Sequence, residues 1–179
     1  MRHAIRSLCL LPTLALAFAF PVEAQELTPT EARIVDAVSA HQAESVALLA
    51  QTLEINSGTL NVAGQRRVYA VHAPRFEALG LEVTYVQQAV SQRGGHLVAT
   101  RTGSQGRHLL LIGHLDTVFE EDSPFQRWEM VNDSIARGPG AADMKGGNTV
   151  IWSALEALHR EGALENTSIT IVLTGDEER

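Results

Sequence analysis

The chain has 179 residues, 45% hydrophobic and 20% charged, proportions that fit an ordinary globular protein of one domain or part of a larger one. A net charge of −7 at pH 7 argues against a nucleic-acid or anionic-membrane partner, since both demand a basic surface. No run of like charge, low-complexity tract or internal repeat is visible.

Residues 1–24 read as a secretory signal peptide. "MRHAIRS" is a basic leader, "LCLLPTLALAFAF" is an uncharged apolar stretch too short to span a bilayer comfortably, and Val22 and Ala24 are small residues before a cleavage point at Gln25. The expected location is therefore periplasmic or secreted, with no membrane association after cleavage. Cleavage removes Cys9, the only cysteine, so any metal in the mature chain must be held by His, Asp or Glu.

Residues 27–55 read as one long amphipathic helix. Thr28 and Glu31 have capping-box spacing, Pro29 suits the first helical position, and Ile34, Val35, Val38, Val46, Leu49 and Leu53 recur at helical intervals. His41 falls inside it as a surface or packing residue. "NSGTLN" (56–61) is a turn cluster. A second helix follows, kinked near Pro74 and stopped by Gly80. Segments 81–88 and 94–103 read as strands. "RHLLLIGHLD" (107–116) reads as a strand buried on both faces, 125–141 as a hairpin turning at "VNDS", and 145–162 as a helix stopped by Gly162. "TSITIVLTGDEER" supplies a last apolar strand over Ile169–Leu173. This alternation predicts an α/β fold: three layers, α/β/α, around a central, mostly parallel mixed sheet. A central strand followed at once by "GDEER" suggests the N-terminal part of a longer catalytic domain, so residues 25–179 are expected to form an incomplete half.

Three acidic or histidine clusters sit at strand ends or in adjoining loops, where open α/β sheets collect ligands. His114 and Asp116, two apart, share one side of an extended chain. They are either a strand-end pair or a metal-binding imidazole with the carboxylate that fixes its tautomer. In "GPGAADMKGGNTV", Gly146 and Gly147 weaken a helix start, and Lys145 stands at the wrong end for the helix dipole. A segment that violates two local preferences is a functional candidate. Asp143 there is either a helix cap or a carboxylate shared between two ions. No phosphate loop fits, because Met144 and Gly146 flank Lys145. In "DEE", adjacent glutamates are either a solvated loop or divide two tasks, one binding metal and one holding a proton. His72, His96, His108 and His159 carry no motif, and Trp128 and Trp152 read as packing residues.

Taken in order, "LLIGHLDTVF", "ARGPGAADMKGGNTVI" and "ITIVLTGDEE" resemble the co-catalytic zinc exopeptidases, which include glutamate carboxypeptidase, acetylornithine deacetylase, succinyl-diaminopimelate desuccinylase and the aminoacylases. "SGT" at 57–59 also fits, and the wording is most like the glutamate carboxypeptidase branch. The resemblance implies two Zn2+ ions, with His114 on one, Asp143 bridging both and Glu178 on the other. Asp116 would orient His114, and Glu177 would be the general base that moves a proton from the attacking water to the leaving amine. The implied activity is hydrolysis of a peptide or N-acyl amino-acid amide by a metallopeptidase, carboxypeptidase-like, or by a deacylase of the same family. A non-catalytic binding member is the alternative, disfavoured by the intact set of five residues. The family also implies a small dimerisation or lid domain and two further ligands, an acidic residue after the glutamate pair and a histidine near the C-terminus. The expectation is a homodimer when full length, and an incomplete, inactive site in this stretch alone.

Overall fold

The computed structural model describes residues 26–88 and 92–179. The expected signal peptide and Cys9 lie outside the described residues. Among those described, no helix is long and apolar enough to cross a membrane.

The N-terminal segment forms two helices, α1 (Pro29–Ala40) and α2 (Gln42–Leu53), where one was expected. The capping box is present, with Thr28 and Glu31 exchanging side-chain and main-chain hydrogen bonds. The break falls at His41, whose Nδ1 lies 2.8 Å from the carbonyl of Ala37. The side chain thus takes the helix end for itself. α3 (Val62–Ala78) is capped by Asn61 and continues through Pro74 without interruption. The Arg75 guanidinium donates to the Val71 carbonyl within that turn.

Strand β1 (Glu82–Val86) pairs antiparallel with β2 (His96–Arg101). Next come β3 (Gln105–His114) and a hairpin of β4 (Glu129–Asn132) and β5 (Ile135–Arg137), its turn closed by Asn132 Oδ1 accepting from Ser134 and Ile135. A single wide turn at Ala141–Lys145 leads into α4 (Gly146–Arg160), and β6 (Thr167–Thr174) follows. The main sheet has the order β1-β2-β6-β3; β2 and β6 run antiparallel, β6 and β3 parallel. The α/β class and the mixed sheet are as expected, with two of its three pairings antiparallel.

The core lies on one sheet face. Leu97 and Ala99 of β2 and Ile169, Ile171 and Leu173 of β6 meet Val68, Val71 and Phe76 of α3 and Trp152 and Leu155 of α4. β6 therefore alternates between buried and half-buried residues. β3 departs further from the expectation of a strand buried on both faces. It ends the described sheet, and Leu109, Leu110 and Ile112 are exposed. A continuous apolar run marks a strand but not what covers it.

β3, α4 and β6 form a β-α-β unit whose strands end together, with His114 beside Thr174 in register. That register brings the distant "GHLD" and "GDEE" segments to one sheet edge.

Candidate metal centre

His114 is the last residue of β3, and it is buried. Its carbonyl accepts from Asn148 Nδ2 of α4 at 2.7 Å. A Cβ on Gly113 would collide with Asn148 Oδ1, so glycine is what lets α4 approach here. The ring is held at both nitrogens. Nδ1 lies 3.0 Å from the main-chain oxygen of Asp116 and 3.4 Å from its Oδ1, while Nε2 lies 3.1 Å from Asp143 Oδ1. Burial pulls the imidazole pKa down, but hydrogen bonds to Asp116 and Asp143 outweigh it and raise it to about 9.

Asp116 is fully buried and meets four donors. Its Oδ2 accepts from Thr59 Oγ1 at 2.8 Å and from the Glu178 N–H at 3.1 Å; its Oδ1 accepts from the Glu177 N–H at 3.2 Å and faces His114. Burial pushes this carboxyl up, and the hydrogen bonds from His114, Glu178, Thr59 and Glu177 more than reverse that, holding it below the usual carboxylate range. Asp116 thus binds the main chain of the glutamate pair as well as the histidine.

Asp143 sits in the wide turn before α4 and caps no helix, since α4 starts at Gly146 without a side-chain cap. Its side chain is exposed and turned to His114. The preceding backbone reverses at Gly140, whose φ of +80° suits glycine, and a Cβ there would also strike Thr117. Behind the turn, Lys145 is fully buried and donates to the carbonyls of Thr52 at 2.9 Å and Ile55 at 2.7 Å, at the C-terminal end of α2. Burial lowers its pKa to about 7.

Glu177 and Glu178 follow β6. Glu177 Oε2 is 4.0 Å from His114 Nε2. Glu178 joins His114 and Asp143 in a group whose ligand atoms all lie within 4.8 Å of one another. Its carboxyl is raised by burial and by the negative charge of Asp143. One imidazole and two mutually repelling carboxylates form a donor set that a divalent cation would satisfy, and nitrogen with carboxylate oxygen suits zinc or a similar transition metal. A cleft of about 380 Å³ opens beside Asp143 and Glu178, walled by Val118, Phe119, Phe125 and Ala141.

The structure therefore brings together all five residues singled out in the sequence, His114, Asp116, Asp143, Glu177 and Glu178. Sequence reasoning missed Thr59, although "SGT" was noticed, and Asn148. It flagged Lys145 without finding its partners.

Comparison with known proteins gives a consistent picture. The model of peptidase family M20/M25/M40 matches residues 110–179. Carboxypeptidase G2 from Pseudomonas sp. (strain RS-16) is 30% identical over 184 residues, covering 100% of this chain and 43% of that protein. A succinyl-diaminopimelate desuccinylase from Methylocella silvestris is 38% identical over 82 residues, 44% of this chain and 21% of that protein. The chain thus spans less than half the length of these relatives. Among solved structures, human carnosine dipeptidase 1 aligns with a TM-score of 0.67 and 21% identity over 80% of this chain and 34% of that one. An M20 family metallo-carboxypeptidase from Sulfolobus solfataricus aligns with a TM-score of 0.62 and 18% identity over 75% of this chain and 31% of that one. Residues 110–179 thus match the model of peptidase family M20/M25/M40, and the chain shares its fold with solved structures that include an M20 family metallo-carboxypeptidase.

Proposed function

We propose that this chain supplies the first part of the active site of a zinc-dependent amide hydrolase acting on small peptides or N-acyl amino acids. The observation that carries the reading is the convergence of His114, Asp143 and Glu178 within 4.8 Å, with the Glu177 carboxylate 4.0 Å from His114. His114, Asp143 and Glu178 would hold the metal, and by the family resemblance Asp143 would be the carboxylate shared between two ions. Bound there, a divalent ion would supply Lewis acidity at the scissile carbonyl and lower the pKa of the attacking water.

The chain's own groups do the rest. Asp116 accepts from the Nδ1 side of His114 and fixes the ring so that Nε2 faces the ligand position. Nε2 of His114 would have to be free of its proton to hold a cation there, so metal binding and deprotonation of His114 would be coupled. Glu177 Oε2 receives the proton from the attacking water and passes it to the departing amide nitrogen. The walls of Val118, Phe119 and Phe125 would take the apolar part of a substrate placed over Asp143 and Glu178.

The match to carboxypeptidase G2 favours cleavage of a peptide-like amide. The matches to succinyl-diaminopimelate desuccinylases favour the second reading, removal of an acyl group from an amino acid. We assign the full protein to the periplasm or exterior as a homodimer, on the basis of the N-terminal sequence and the family resemblance. That resemblance calls for two ligands beyond the three here, so the 179-residue chain should bind metal without appreciable turnover.

The test is hydrolysis of dipeptides and N-acyl amino acids by a polypeptide of the relatives' full length. Glu177→Gln should lower kcat by at least about a thousandfold, at the strong end for proton transfer by a positioned side chain, while metal content stays at the wild-type level. Retained activity in that variant would remove Glu177 from the mechanism.

A further inference from the structure

The turn "SGT" lies outside the three motifs that carry the metal chemistry, yet one of its side chains reaches them. Thr59 is fully buried, and its hydroxyl donates to Asp116 Oδ2 at 2.8 Å. The same oxygen accepts from the main-chain N–H of Glu178, and the other from that of Glu177. One carboxylate is thus forked across two successive amides of the glutamate pair, one amide per oxygen. Rotation about its Cβ–Cγ bond would break both contacts. The two amides follow β6, and His114 lies at the end of β3. Thr59 comes from a third part of the chain.

Thr59 is itself fixed. Gln65 Nε2 donates to the carbonyls of Gly58 and Thr59 at 3.2 and 3.0 Å. Gly58 forms a parallel bridge with Thr117, whose N–H donates to Ser57 O at 2.9 Å. The turn is therefore stitched to the chain just after Asp116, and the hydroxyl meets the carboxylate from a rigid support.

We infer that Thr59 is a positioning residue: through Asp116 it sets the main-chain position of Glu177 and Glu178, and so the spacing of the proton-carrying carboxylate from the metal ligands. The amide part of this inference stands on the hydrogen bonds alone, whereas its consequence for metal affinity rests on the reading of His114, Asp143 and Glu178 as ligands.

The test uses the full chain, labelled with 15N and titrated with Zn2+ against a chromogenic chelator. Thr59→Val keeps the shape and removes the hydroxyl. It should move the Glu177 and Glu178 amide resonances and weaken Zn2+ binding by roughly tenfold, the lower end for loss of a group that orients ligands. Thr59→Ser keeps the hydroxyl and should restore both. Wild-type amide positions and affinity in Thr59→Val, or equal impairment in Thr59→Ser, would overturn the inference. Should Thr59→Val fail to fold, hydrogen exchange on the wild-type chain decides: slow exchange at both amides, although they lie beyond β6, supports the lock, and fast exchange at both refutes it. If the wild-type chain binds no Zn2+, the proposed function fails, and the amide readouts still decide the role of Thr59.

Discussion

Lys145 breaks a local preference in order to satisfy a distant one. A cation at the start of α4 opposes that helix's dipole, yet its side chain runs to the C-terminal end of α2, where carbonyls carry the negative end of a different dipole. Its two acceptors, Thr52 O and Ile55 O, lie 93 and 90 positions away in sequence. The oddity of Lys145 was legible in the sequence; its purpose was not, because spacing along a chain says nothing of partners so remote. Lys145→Met fills the space but leaves two buried acceptors without a donor. We expect a loss of about 1–3 kcal/mol in unfolding free energy, the desolvation cost of unsatisfied buried groups, measured by urea denaturation at pH 7. A variant as stable as the wild type would show that the ammonium does not hold the Asp143 turn to α2.

Elements were easier to find than their covered faces. Helical periodicity located α1 and α2 but not the break at His41, and Val35, Val38 and Val46, three of the apolar residues that recur at helical intervals, are exposed. Periodicity reports which residues share a face, and tertiary packing decides whether that face is covered. α3 shows the converse. His72, which carried no motif, is fully buried, stacks near Phe76, and has no hydrogen-bond partner at either ring nitrogen among the described residues. Burial, reinforced by the positive charges of Arg75 and Lys145, lowers its pKa from 6.5 to about 4. The native state therefore keeps His72 neutral while the unfolded chain takes up a proton. Stability from this residue is fully present above pH 6.5 and falls as pH drops towards 4, by about 3 kcal/mol in all. Denaturation at pH 7, 5.5 and 4 should show that loss in the wild type and a flatter profile in His72→Leu. Parallel profiles for the two would mean that His72 is protonated in the folded protein.

At the scale of the whole molecule, the fold serves to bring strand ends together. The parallel register of β3 and β6 sets His114 beside Thr174, α4 braces His114 through Asn148, and the wide turn before α4 delivers Asp143. The five site residues were legible because their chemistry is unusual at strand ends and because their order resembles a known family. The supporting residues were not, since Thr59 and Asn148 are common types whose meaning lies in one contact each. Calorimetric titration of Zn2+ into the purified chain tests this assembly most directly. Saturable binding in the wild type that is lost in His114→Ala is the result we predict. An absence of binding, or binding equally strong in His114→Ala, would contradict a metal centre built on this histidine.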